Sequence, residues 1–135
     1  MAQDFLGKLQ AGYDAFGSGD ERKFIELLHP EFRYRARAEL PGGGEYVGRD
    51  AFDRRLAELR EMFDGLRFEP REYIVHAEHV VVPLRWSGRG GTSGVEVSQD
   101  VFHVWRIRDG MGLELQVFSD REEALRCAGI EDAGP

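Results

Sequence analysis

Residues 95–120 read VEVSQDVFHVWRIRDGMGLELQVFSD, and this stretch decides the fold. Apolar residues recur at every second position, so strands are expected over 95–108 and 112–119, with Asp109-Gly110 as the tight turn between them. Both parities of the first strand carry large apolar groups. Val101, Trp105 and Ile107 lie on one side, Phe102 and Val104 on the other. A sheet with one wet face alternates more cleanly, so cover is expected on both faces. A second copy of the chain is the simplest cover for the outer one, which makes a homodimer through that face the expected assembly.

Upstream of this stretch the same period of two gives strands at about 66–76 and 79–87, joined by turns at Ala77-Glu78 and Gly88 to Gly94. The four strands form an antiparallel meander. Before residue 65 the period is helical. Phe5, Leu9, Gly12, Tyr13 and Phe16, with Leu6 at one edge, share one face of a first helix. Gly17-Ser18-Gly19 ends it, and Asp20 caps a short second helix that carries Phe24, Ile25, Leu27 and Leu28. His29-Pro30 stops that helix. Glu31 to Ala38 alternates as a strand, and Leu40 to Gly44 is a loop. Asp50 is placed to cap a third helix with Phe52, Leu56, Leu59 and Phe63 in one stripe, while Arg54, Arg55, Glu58, Arg60 and Glu61 face water. Downstream, Asp120 and Glu123 form a capping box for a last helix, Gly129 suits the left-handed position past its end, and Ile130 is placed to touch Leu125.

Composition bounds the function. A chain of 135 residues buries enough surface for one domain, spanning 1–135, without disulfides or metal. Acidic residues outnumber basic ones by 25 to 18, a net charge of −7, and the arginines are interleaved with acids. A nucleic-acid partner needs a basic footprint, which is absent. No apolar stretch approaches a membrane span, and Met1 to Phe5 shows no basic region leading into an apolar run. With one cysteine, Cys127, the expectation is a cytoplasmic protein without a membrane partner.

Several pieces in order carry a resemblance. They are Gly19-Asp20, Leu27-Leu28-His29-Pro30-Glu31, Leu40-Pro41-Gly42-Gly43-Gly44-Glu45-Tyr46-Val47-Gly48-Arg49-Asp50-Ala51-Phe52, the Gly88 to Gly94 loop, Val104 to Gly110 and Phe118 to Leu125 ending at Ala128-Gly129-Ile130. From about residue 5 to residue 130 the chain resembles the SnoaL-like branch of the NTF2-like superfamily. That resemblance implies an α+β cone: three N-terminal helices packed on a strongly curved, mostly antiparallel sheet, a short C-terminal helix, and one apolar cavity inside. It leaves chemistry open, because one fold hosts many activities. Two readings stand. One is a cofactor-independent acid/base enzyme of cyclase, isomerase or hydratase type, acting on a small apolar or aromatic molecule. The other is a non-catalytic ligand-binding or dimeric interaction module.

The ketosteroid isomerases within the superfamily use a carboxylate base and two oxyanion donors, a tyrosine and a protonated aspartic acid. Aligned on Gly19-Asp20, the family tyrosine falls at about Gly12, one step from Tyr13. The base falls at about Ala36 or Arg37, where no carboxylate stands; aligned instead on the strand before Asp109-Gly110, the second donor falls at His103. Isomerisation by that mechanism is therefore not expected. His103 is the candidate catalytic residue, since imidazole titrates near neutrality and its strand parity, shared with Val101 and Trp105, is the one the resemblance puts inside the cone. A buried histidine merely satisfied by a neighbour is the competing reading. Tyr13, Phe16, Tyr34, Phe63, Trp86, Trp105 and Phe118 are the candidate ligand-contacting residues, with plain core packing as their alternative.

Other patterns read as structure. Asp100 and His103 lie three residues apart in a strand, on opposite faces, and cannot form a dyad. Arg33, Arg35 and Arg37 alternate along one strand face, read as a solvated or dimer-facing edge with an anion site as the alternative. Gly42-Gly43-Gly44 and Gly88 to Gly94 lack the spacing of nucleotide loops. The histidines show no metal spacing, no feature activates Cys127, and no metal or cofactor is expected.

Overall fold

The expected hairpin is the spine of the molecule, and the computed structural model builds the rest of the sheet on it. The structure describes residues 2–36 and 43–130. Helices α1 (Ala2–Gly17) and α2 (Glu21–Glu26) come first, then strands β1 (Leu28–Ala36) and β2 (Gly44–Val47) and helix α3 (Arg49–Met62). Strands β3 (Phe63–Pro70), β4 (Ile74–His76), β5 (His79–Gly90), β6 (Glu96–Arg108) and β7 (Met111–Phe118) follow, and α4 (Arg121–Cys127) closes the described chain. The sheet order is β2-β1-β7-β6-β5-β3, with β4 paired to β5. β1 runs parallel to β7, and the other pairs are antiparallel, so β3, β5, β6 and β7 form the expected meander.

Turn chemistry is as the residues dictate. Asp109 (φ 54°) and Gly110 (φ 72°) both take left-handed backbone, as a two-residue hairpin turn with the sheet's twist requires. The Asp120 carboxylate accepts from the Glu123 backbone N–H at 3.0 Å and so caps α4. Gly129 (φ 78°) turns the chain past the helix end, where the Ile130 N–H donates to the Leu125 carbonyl at 2.9 Å.

Several boundaries differ from expectation for identifiable reasons. α2 ends at Glu26, and Leu28 already begins β1, so Pro30 lies inside a strand. It is tolerated because the β1–β7 register shifts between Leu28 and Arg33, where no ladder bond is demanded of it. Gly48, not Asp50, is the N-cap of α3, and Asp50 sits in its first turn. The strand expected at 66–76 is two strands, broken after Pro70, where the Arg71 N–H donates to the Pro83 carbonyl at 2.8 Å. β2 was not anticipated; it adds an edge to β1. The end of the expected strand at Arg37-Ala38 and the loop positions Leu40 to Gly42 lie outside the described residues.

Two apolar cores follow from strand parity. The inner core joins Phe5, Leu9, Tyr13 and Phe16 of α1, Phe24 of α2, Phe52, Leu56 and Leu59 of α3, and the inward parity of the sheet, including Val82, Leu84, Trp86, Val101, Trp105, Leu115 and Val117. Gly12 lets α2 seat against α1, since a Cβ there would lie 2.6 Å from Leu27 Cδ1. The outer core is smaller. Val81 and Val104 are buried under Ala124, Leu125 and Ala128, with Phe102, Phe118 and Ile130 packed around them. Thus α4 covers the outward parity of β6 that was the sequence argument for a second copy of the chain. No helix among the described residues is long and apolar enough to cross a membrane.

Candidate functional site

His103 lies in the middle of β6, opposite Val82 of β5 and Val117 of β7, on the inward face. The same parity that buries Val101 and Trp105 buries His103, at 5% exposure. Its Nδ1 is 2.6 Å from the Tyr13 hydroxyl, and Trp105 Nε1 donates to that same hydroxyl at 3.0 Å. α1 supplies Tyr13 because the two helix turns from Leu9 through Tyr13 to Phe16 press their apolar face on the inward side of the sheet.

The direction of these bonds is fixed by what each group can do. An indole N–H only donates, so Trp105 occupies a lone pair of the Tyr13 oxygen. The phenol proton then goes to His103 Nδ1. The reverse arrangement, an Nδ1–H donating to Tyr13, leaves the phenol proton with no acceptor among the described residues, which burial makes costly. His103 is therefore the tautomer with its proton on Nε2. Burial pushes its imidazole down to about 3, so at neutral pH it carries no charge. Burial also raises the Tyr13 phenol far above its ordinary range, although the Trp105 bond works the other way. Neither group is a proton acceptor of useful strength. What the pair offers is a neutral N–H donor at Nε2.

His103 forms part of the wall of an internal cavity of ≈ 50 Å³. The other walls come from α2 (Phe24), β1 (Tyr34), α3 (Phe52, Arg55, Leu56, Leu59) and the strands (Phe63, Leu66, Phe68, Trp86, Val101, Leu115, Val117). Among the described residues the walls are apolar apart from His103, Tyr34 and Arg55, and hold no carboxylate. Burial pushes the Tyr34 phenol up as well. Phe68 meets the His103 ring edge-on with centroids 5.6 Å apart, and Phe63 meets Trp86 likewise at 5.4 Å. Phe63 and Phe68 are only partly buried and lie at the rim.

Of the residues singled out from sequence, the cavity brings together His103, Tyr34, Phe63 and Trp86. The other four sit elsewhere. Tyr13 stands behind His103 and reaches the cavity only through it. Phe16 stacks on Phe68, centroids 4.6 Å apart, one layer back from the wall. Trp105, fully buried, fills the base of the cone against Phe5, Phe24 and Phe32. Phe118 has the outward parity of β7 and packs under α4. Asp100 points outward, bonded to Arg85 at 3.0 and 3.2 Å, as its parity demanded.

Arg55 was expected to face water and does not. On α3 it stands three residues after Phe52 and four before Leu59, a spacing that places it at the edge of the buried stripe. Its side chain is 19% exposed. Arg33 and Arg35 do face outward, the latter near Glu45 at 3.7 Å; Arg37 lies outside the described residues. His29 bonds the Glu31 backbone N–H through Nδ1. Burial and neighbouring carboxylate charge raise the Cys127 thiol, the opposite of activation. Among the described residues no group of three or more His, Cys, Asp or Glu is placed to hold a metal ion.

Helices folded over a bent mixed sheet, with one histidine-bearing pocket between them, define an NTF2-like α+β protein. The chain belongs to the SnoaL-like domain family, whose model matches residues 9–114. Among solved structures it is similar to an NTF2-like protein of unknown function from Burkholderia pseudomallei, at 21% identity over 93% of this chain and 97% of that one, TM-score 0.77. It is also similar to TerC, co-crystallised with polyporic acid, at 23% identity over 93% and 97%, TM-score 0.76. A third is a SnoaL-like polyketide cyclase, so assigned by similarity, from Jannaschia sp. CCS1, at 20% identity over 99% and 95%, TM-score 0.75. At these identities the likeness is one of fold. No curated protein matches the chain by sequence.

Proposed function

We infer that the protein binds a small apolar or aromatic molecule in the cone, with an acceptor oxygen of that molecule on His103 Nε2. The observation that supports this most directly is the one-way chain Trp105 to Tyr13 to His103, which leaves a neutral donor at an otherwise apolar wall. At ≈ 50 Å³ the cavity holds a few waters, so a ring enters by displacing rim side chains, and Phe63 and Phe68 are the ones with room to swing. The co-crystallisation of TerC with polyporic acid gives a precedent on this fold for such a ligand.

The same donor favours a second reading, an enzyme in which His103 stabilises an oxyanion as a neutral electrophile. The described residues of the cavity wall supply no carboxylate base, so in this reading a proton moved there goes to water or to a group of the ligand itself. Binding is the reading the walls support better. Acetophenone and ethylbenzene, equal in shape but differing in one carbonyl, test it. Calorimetric titration should show acetophenone bound about 2–10-fold more tightly, the worth of one hydrogen bond. Val117→Phe, directly across the ladder from His103, should abolish both. Equal binding of the two ligands would remove His103 from the site.

A second copy on the outer face is proposed on a narrower basis than the sequence suggested. Beyond α4 the outward parity of β3, β5 and β6 carries the alternating pairs Arg67–Glu69, Arg85–Asp100 and Arg89–Glu96. Opposite charges in alternation can meet themselves across a two-fold axis. Light scattering should give twice the 15.3 kDa chain mass; a monomer at high micromolar concentration would dismiss the dimer.

A further inference from the structure

Arg55 is the one cation among the described residues of the cavity wall, and its hydrogen bonding is incomplete. Nη1 donates to Glu58 at 2.7 Å, a partner that is itself 58% exposed on the outside of α3. Nε is buried and has no hydrogen-bond partner among the described residues. The guanidinium lies over the Tyr46 ring, 5.9 Å from its centroid, and its charge acts on the Tyr34 phenol beside it in the wall. Glu58 holds one end of the group.

The open atom matters because of how a guanidinium binds. Nε and Nη2 point the same way and take a carboxylate as a fork. Arg85 of this molecule uses that fork on Asp100, with Nε at 3.0 Å and Nη2 at 3.2 Å. Arg60, five residues after Arg55 on the same helix, also has a buried Nε that makes no hydrogen bond among the described residues, but its guanidinium is ion-paired with Glu21 and donates from Nη2 to the Phe16 carbonyl at 3.1 Å, and it does not line the cavity. At Arg55 the Nε half of the fork is vacant and removed from water. Buried donors are almost always matched, and an unmatched one beside a cavity marks where an acceptor belongs.

We propose that the molecule bound in this cavity is an acid: an aromatic or apolar body carrying a carboxylate, which Arg55 takes through Nε. This rests on the ligand-binding reading above and adds its substrate class. The ligand then has two ends, an acceptor oxygen at His103 and an anion at Arg55, with the Phe and Trp walls enclosing the body between them. A net charge of −7 on the protein disfavours anions in general, so this preference is local to Arg55.

Calorimetric titration with 4-acetylbenzoate and its neutral isostere 4-acetylbenzamide tests it. The wild-type protein should bind the acid about tenfold more tightly than the amide, since a charge-assisted fork is stronger than neutral bonds. In Arg55→Met the preference for the acid should be lost and the two ligands should bind alike. Arg55→Lys, which keeps the charge and loses the fork, should retain part of the preference. Equal binding of acid and amide to the wild type, or a preference that survives in Arg55→Met, overturns the acid proposal and leaves the cavity reading standing. If neither compound binds the wild type, the cavity reading falls and this proposal with it.

Discussion

Replacing His103 by phenylalanine separates what the imidazole does from what its neighbours do, provided stability is followed against pH. The folded imidazole titrates at about 3, while an unfolded one titrates near 6.5. Between those values the unfolded chain binds a proton that the folded one refuses. Stability therefore falls as pH drops below 6.5, at about 1.4 kcal/mol per unit, and is fully kept above it. From pH 7 to pH 5 the loss from this group is about 2 kcal/mol, a figure that is the same for any folded value below about 4. For a domain of this size that is roughly 6–10 °C of melting temperature. In His103→Phe the loss vanishes while every other group titrates as before, so the difference between the two melting curves isolates it. At pH 7 the variant starts lower, because the Tyr13 hydroxyl loses its acceptor, at a cost of about 1–3 kcal/mol. The offset belongs to Tyr13 and the slope to His103. Parallel pH profiles for the two proteins, measured by calorimetry or urea unfolding between pH 7 and 5, would refute a buried neutral imidazole.

Tyr13→Phe removes one oxygen that serves two partners, leaving Trp105 Nε1 without an acceptor and His103 Nδ1 without a donor, and should cost roughly 2–4 kcal/mol in urea unfolding. A cost below about 1 kcal/mol would mean that water takes the oxygen's place. Gly112→Ala should destabilise by about 1–3 kcal/mol, because its Cβ would lie 2.9 Å from Trp105 Cζ3, in a ring that has no room to yield. A neutral effect there would show that the base of the cone is looser than its packing implies.

The order of elements was legible because each rests on a local signal. Residues 101–107 alternate, Asp109-Gly110 demands a tight turn, and Asp120 with Gly129 brackets a helix; none of these needs knowledge of a distant residue. The inward parity of His103 followed in the same way, and so did the separation of Asp100 from it. The site was harder to read. That Tyr13 meets His103 depends on where α1 crosses the sheet, a contact between residues ninety positions apart. Phe118 was assigned to the wall although its neighbour Val117 has the inward parity, a matter of one residue of register. Arg55 was read by its charge, when its place three residues from Phe52 and four from Leu59 already put it on the stripe's edge. The apolar outward parity of β6 was read as a meeting place for a second chain. Here the cover came from α4 of the same chain, whose seven residues gave little hint that they fold back.

The Trp105–Tyr13–His103 chain also makes the protein its own optical sensor. Trp105 lies outside the cavity wall, one layer behind Phe24, and its indole N–H donates to the hydroxyl that bonds His103. An acceptor arriving at Nε2 pulls on the imidazole, which strengthens the Tyr13 bond and alters the load on the indole. Emission from Trp105 therefore tracks occupancy of a pocket it never enters, whereas Trp86 in the wall responds by direct contact. A Trp86→Phe variant would leave one chromophore, deep and shielded from solvent, whose colour follows the far end of a two-bond wire.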